Sequence, residues 1–291
     1  MEGYPEPSAR EPSHDHPPRR PSPARHPEGL LWEPSERWVR GRMRDITVVD
    51  SRRPVLVWEP GLPVPRYAFP REDVRTDLLR PAERPRTGLH TGSQEFYDLV
   101  AGGEVRPNAA WVFPAEDLAG HLAFEWFLRP HRGLDHWYEE DEEIFVHPRD
   151  PHSRVDALPS TRHVVVEIDG IVVADTHTPV LLFETSLPPR CYLPPQDVRL
   201  ELFEPTGHSS RCPYKGIACY WSFRGEAEVP PNVLWSYPDP LPGVAVIKDH
   251  LAFYDEAVDL VVDGERLERP VTPFSASLER PGAPSGALPD R

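Results

Sequence analysis

Cys212-Pro213-Tyr214-Lys215-Gly216 places a thiol, a phenol and an amine within four consecutive residues. Two chemistries suit that grouping. An ammonium close to a cysteine lowers the thiol pKa and makes a nucleophile, and a lysine at a pocket mouth holds an anionic or carbonyl group. The bland alternative is a tight turn, with Pro213 presetting φ and Gly216 supplying a left-handed residue. That alternative accounts for Pro213 and Gly216 but leaves Cys212, Tyr214 and Lys215 unexplained. The run is not a phosphate-binding loop, because no glycine-rich stretch precedes the lysine and no Ser or Thr follows it.

Trp235-Ser236-Tyr237-Pro238-Asp239-Pro240 is a second candidate. Trp235 reads first as core and Asp239 as a helix cap, while Tyr237 and Asp239 on a rigid turn suit a ligand contact. Arg190 and Tyr192, in "LPPRCYLPPQDVR", read as scaffold before site, with Asp197 as the expected partner of the arginine. Cys212 and Lys215 are therefore the catalytic candidates. Tyr214, Lys215, Trp221, Trp235, Tyr237, Asp239 and Arg190 are the ligand-binding candidates.

Metal and redox chemistry are poorly supported by spacing. His208, Cys212 and Cys219 form the one compact group, four and seven residues apart, which matches no zinc signature. The other histidines are assigned to tails and linker. No metal and no cofactor are expected, and a Cys212–Cys219 redox pair is equally weak.

The elements that must position these residues are mostly strands. Thirty-nine prolines argue against an all-helical chain. "RHVVVEIDGIVVAD" (162–175) is two β-rich runs around Asp169-Gly170, a hairpin signal. "TPVLLFET", "VRLELF" and "ACYWSF" are further strands. One helix per copy is expected, at about 242–255 from Val244, Ile247, Leu251 and Tyr254, and at about 115–128 from Leu118, Leu122 and Trp126.

The chain also repeats itself. "PVLVWEPGLPVPRYAFPREDVR" (54–75) matches "PVLLFETSLPPRCYLPPQDVR" (179–199) at an offset of 125, which becomes 124 after one extra residue, Val64. Trp111 meets Trp235 at offset 124, and "HLAF" at 121–124 recurs at 250–253. The reading is two tandem domains, 31–128 and 161–275. A polar, acidic linker, 129–160, joins them, and proline-rich disordered tails flank them at 1–30 and 276–291. Within the linker, "HPRDPHSR" (147–154) reads as solvated chain, or else as a strap over one copy's pocket.

The 291 residues carry a formal charge of −15. With no basic stripe, nucleic acid and anionic membrane are excluded as expected partners. No apolar run reaches a membrane span and the start lacks a signal-peptide core, so a soluble cytoplasmic protein is expected.

The segments "HVVVEIDGIVVADTHTPVLLFETSLPPRCYLPPQDVRLELFEP", "RCPYKGIACYW", "VLWSYPDPLP" and "HLAFYDEAVDLVVDG" resemble the domain-of-unknown-function family numbered 427. The second copy matches almost end to end. The first resembles a diverged member, as in two-copy forms from high-GC actinobacteria, with Gly88, Leu89, His90, Thr91 and Gly92 at the motif positions. The resemblance implies small β-tent-like domains, mainly β, and no established activity. Neither a carboxylate pair spaced for two metals nor a Gly-Ser phosphate motif supports nucleotidyl transfer.

The expected function is small-molecule binding, with or without catalysis, at the CPYKG turn of the second copy. The alternatives are a non-catalytic protein-interaction module and a cysteine-based redox sensor. The two copies are expected to form an intramolecular pseudo-dimer.

Overall fold

The computed structural model describes residues 29–86, 92–93, 95–126 and 130–275. The tails expected at 1–30 and 276–291 therefore lie outside the described residues, apart from 29 and 30. The first domain carries β1 (Leu31–Pro34), β2 (Val39–Met43), β3 (Ile46–Ser51), β4 (Val55–Trp58), β5 (Arg66–Pro70), β6 (Leu79–Pro81), β7 (Glu95–Ala101), β8 (Glu104–Val112), β9 (His121–Phe124), β10 (His136–Glu139) and β11 (Glu142–Ile144). The second carries β12 (Val155–Pro159), β13 (Val164–Ile168), β14 (Ile171–Thr176), β15 (Val180–Glu184), β16 (Arg190–Leu193), β17 (Phe203–Cys212), β18 (Gly216–Phe223), β19 (Leu234–Ser236), β20 (Leu251–Phe253), β21 (Asp259–Val262) and β22 (Glu265–Arg266).

Each domain is mainly β and built from two sheets. The seven-stranded sheets run β1-β4-β5-β9-β8-β7-β6 and β12-β15-β16-β20-β19-β18-β17, the same order strand for strand. The four-stranded sheets, β11-β10-β2-β3 and β14-β13-β21-β22, are likewise equivalent when one is read in reverse. The sequence repeat is thus a repeat of topology. The Asp169-Gly170 hairpin forms as expected, with both residues at positive φ, 50° and 74°, joining β13 to β14.

Of the segment expected to link the domains, β10 and β11 complete the first domain's small sheet and β12 opens the second domain's large one. Residues 145–154, between those strands, belong to neither sheet. The acidic run reads as linker because Glu140, Asp141 and Glu142 are exposed, but Glu139 is buried and accepts from Arg37 and Tyr67. Trp137 and Ile144, which flank the run on β10 and β11, are buried as well.

The two expected helices are not formed. Pro242–Ile247 is a short 3-10 segment, interrupted at Val244, and is followed by strand β20; Glu116–Leu118 is followed in the same way by β9. The helical spacing of Val244, Ile247 and Leu251 came from a turn running into a strand. Leu251, Ala252 and Phe253 are all buried, and such a continuous apolar run does not reveal its own period.

Cores form on both faces of the large sheets. In the first domain one apolar cluster, with Leu56, Phe69 and Trp137, packs between the sheets. A separate one, with Val57, Phe96, Trp111 and Phe113, covers the other face. That second face is the one that differs between the domains.

Candidate functional site

A single row of side chains crosses five strands of each large sheet. In the second domain it reads Val180, Tyr192, Ala252, Trp235, Tyr220; in the first it reads Val55, Ala68, Ala123, Trp111, Phe96. In the second domain this face is the floor of a cavity of about 270 Å³. The small Ala252 separates Tyr192 from Trp235, whose rings meet edge-on at 6.5 Å. Leu182, Tyr237, Tyr254 and Phe274 extend the apolar wall.

The CPYKG turn forms one rim. Cys212 ends β17 and faces Gly216, which opens β18, so Pro213, Tyr214 and Lys215 make a three-residue hairpin loop. Gly216 is required there. Its φ is 104°, and a Cβ would sit 3.1 Å from the Asp239 carbonyl oxygen, which packs against it. The Leu241 amide also donates to the Lys215 carbonyl at 3.1 Å, fastening the turn to the WSYPDP segment.

Lys215 Nζ donates to Glu184 Oε2 at 2.5 Å, and both side chains are nearly buried. Burial disfavours the ammonium, but the Glu184 carboxylate that accepts its hydrogen bond more than offsets that cost. The Lys215 pKa therefore lies above its ordinary value. Lys215 is thus a cation with two N–H groups left for another acceptor, not an amine nucleophile. Burial also pushes the Cys212 thiol up, against the lowering effect of Lys215. A thiol held neutral is a lining group and not an activated nucleophile.

Tyr192, Tyr220 and Tyr237 are among the five tyrosines that line the cavity. Trp235 Nε1 donates to the Tyr192 hydroxyl at 3.3 Å, and the Tyr220 hydroxyl pairs with Ser210 Oγ at 2.6 Å. The Tyr237 hydroxyl finds no hydrogen-bond partner among the described residues, although the side chain is 5% exposed and lines the cavity. Burial raises the pKa of Tyr192 to about 12 and that of Tyr237 well above normal, so both are neutral donors at physiological pH.

Arg190 lines the cavity but is committed elsewhere. Its guanidinium donates to the Phe253 carbonyl and Glu256, lies 3.2 Å from Asp255, and sits over the Trp235 ring at 5.4 Å. Asp197, its expected partner, instead accepts from the Thr176 hydroxyl at 2.6 Å. Burial holds the Asp255 carboxyl up at about 6 despite Arg190, whereas Glu256, also buried, is brought below the usual range by Arg190 and the Thr272 hydroxyl.

The roof comes from outside the second domain's sheets. Val146, His147, Asp150 and Ser153 of the 145–154 connector line it, together with Pro63 and Val64 of the first domain's β4–β5 loop. The Tyr214 hydroxyl accepts from the Asp150 amide at 2.9 Å, and Arg149 Nε donates to the Pro213 carbonyl at 2.8 Å. Asp150 in turn accepts from Trp58 of the first domain at 3.2 Å. Val64 is the residue by which the first copy's loop exceeds the second's in the matched segments.

The cavity thus brings together Cys212, Tyr214, Lys215, Trp235, Tyr237 and Arg190. Trp221 and Asp239 are not among its lining residues. Trp221 follows Tyr220 on β18, and alternation sends the two to opposite faces. Asp239 is exposed and contributes its carbonyl to the turn. Sequence reasoning missed Glu184, Tyr220, Tyr254 and Phe274. For Glu184 a signal existed, because the repeat places it on Glu59. His208, Cys212 and Cys219 do not converge. Cys219 pairs with Ser209, three ladder positions from Cys212, or roughly 10 Å, beyond disulfide reach. The first copy's motif positions Gly88, Leu89, His90 and Thr91 lie outside the described residues.

A family model described as "Domain of unknown function (DUF427)" matches residues 31–140 and again 156–264. A comparison with curated proteins returns no match. Among the described residues, no helix is long and apolar enough to cross a membrane.

Proposed function

Because the chain belongs to the DUF427 family, present here as two tandem copies, we propose that its second domain binds a small organic molecule in the cavity beside the CPYKG turn. The observation carrying this reading is the Tyr237 hydroxyl, which has no hydrogen-bond partner among the described residues although its side chain is 5% exposed, and which lines the same cavity as Lys215 with its two spare N–H groups. A mainly apolar cavity with a few convergent donors suits a ligand with a flat unsaturated body and a carbonyl or carboxylate acceptor. The first domain acts as a scaffold that, with the connector, roofs the site.

Two features favour binding over the other readings. A concave site fits a small molecule better than a protein-interaction patch does. Redox sensing through Cys212 needs thiolate character, and burial works against it.

The test is a thermal-shift screen of aromatic carbonyl and carboxylate metabolites on the full chain, beside Lys215→Met and Val64→Trp. A true ligand at a hundred times its Kd stabilises wild type by about 2.7 kcal/mol. The same compound should shift both variants far less. A compound that shifts all three proteins equally, or a panel that shifts none, sinks the proposal.

A further inference from the structure

His163, Asp175 and His177 meet on the second domain's small sheet, at the opening of the β13–β14 ladder. The two histidines are not tail or linker residues: His163 leads directly into β13, and His177 follows β14. Because Val164 pairs with Thr176, the hairpin register sets His163 against His177, with Asp175 two residues inside and so on the same face as His177. His163 Nε2 lies 2.7 Å from Asp175 Oδ1, and the two imidazoles stack at 4.1 Å with an interplanar angle of 13°. The potential ligand atoms of all three side chains lie within 4.8 Å of one another.

The first domain holds the same frame with other residues. There Trp38, Asp50 and Arg52 occupy the equivalent positions, since β2 pairs Val39 with Ser51 as β13 pairs Val164 with Thr176. Trp38 Nε1 donates to Asp50 Oδ1 at 2.7 Å, and the Arg52 guanidinium lies over the Trp38 ring at 4.8 Å. The fold therefore needs only a ring donor, an aspartate and a group stacked on the ring. Trp and Arg satisfy that need and ligate no metal. In the second domain all three positions carry ligand side chains.

We infer that His163, Asp175 and His177 form a surface site for a divalent transition-metal ion of the zinc type. Two imidazole nitrogens and one carboxylate oxygen are a borderline donor set suited to such ions. Ligand atoms about 2.1 Å from a tetrahedral ion stand roughly 3.4 Å apart, so rotamer shifts of about 1 Å close the cluster around it. The three side chains are partly or fully exposed, which leaves the remaining coordination position open to water or another ligand.

The experiment is a titration of the full chain with Zn²⁺ by calorimetry and with Co²⁺ by visible absorption. It is repeated on a His163→Trp/His177→Arg variant, which installs the residues that the first domain already accommodates. Wild type should bind one ion per chain at this site with d–d bands of low coordination number. The variant should keep its circular dichroism and lose that site, with affinity down at least about tenfold. His177→Gln, a milder change, should weaken binding in the same direction if the double variant fails to fold. Binding equal in wild type and variants overturns the inference and assigns the ion to other histidines, such as His14, His16 and His26. Failure of wild type to bind either ion also overturns it.

Discussion

The two domains spend the same strand row differently. Where the second domain sets Tyr192, Tyr220 and Tyr237 around a cavity, the first sets Ala68, Phe96 and Phe113 in an apolar cluster with Trp111. The ion pairs change with the rings. Glu184 takes Lys215 and Arg190 takes Asp255 and Glu256, whereas Glu59 and Arg66, the equivalents of Glu184 and Arg190, contact each other at 2.7 Å. The sequence explains the exchange, since Thr91 stands for the lysine and Trp126 for Asp255. What persists in both is the arginine 5.4 Å above a tryptophan. Arginine over tryptophan is therefore scaffold, and the lysine and the hydroxyls are what distinguishes the site.

The largest effect expected from this comparison is in the first domain. Arg66 and Glu59 are 3% and 4% exposed, so neither has solvent to fall back on. Arg66→Met takes a 2.7 Å cationic contact away from the buried Glu59 carboxylate and should cost about 3–5 kcal/mol in chemical denaturation. Arg190→Met should cost less, because Asp255 can take up a proton. If the second substitution costs as much as the first, the two arginines are equivalent and the contrast is wrong.

Asp255 gives the comparison a pH signature. Its carboxyl titrates at about 6 in the folded chain, above the ordinary carboxylate value of the unfolded one, so the folded state holds an extra proton between the two. Stability from this group is complete below about 4 and falls as pH rises to about 6, by something on the order of 2–3 kcal/mol. Asp255→Asn should flatten that part of the stability–pH curve. An unchanged slope in the variant would show that Asp255 ionises normally.

Lys215→Met removes the cation from a nearly buried carboxylate that still borders a cavity. It should cost about 1–3 kcal/mol, the range of a hydrogen bond to a charged group. Adding Glu184→Gln should restore most of the loss, a coupling that a double-mutant cycle reads directly. Additive costs would mean that Lys215 and Glu184 do not depend on each other.

Much of this was legible in the residues. The repeat offsets placed Glu184 on Glu59 and Trp235 on Trp111, and Asp169-Gly170 marked the hairpin that joins β13 to β14. The family followed from the motifs. Less legible was anything set by a strand's neighbours. Leu251–Phe253, apolar throughout, carries no period to separate helix from strand, and Tyr220 differs from Trp221 only by alternation on a strand whose inward face the sequence does not mark. The roof was harder still, because Val64 and Asp150 reach the cavity from another domain and a connector. One trace of it was present: Val64 is an insertion with no counterpart in the second copy.

The smallest expected effect on stability tests the site most directly. Tyr237→Phe installs the residue that the first domain carries as Phe113, and it removes a hydroxyl with no partner among the described residues. Its loss breaks no internal hydrogen bond, so unfolding free energy should move by less than about 0.5 kcal/mol. Tyr220→Phe is the control, since it strips the 2.6 Å contact with Ser210 and should cost about 1 kcal/mol. Ligand affinity should separate the two in the opposite sense. Tyr237→Phe should weaken a bound acceptor by up to about tenfold, the worth of one hydrogen bond, while leaving the apo protein intact. A Tyr237→Phe protein that is clearly destabilised without ligand would mean the hydroxyl is structural. The unpartnered donor would then no longer mark the second domain as the half that binds.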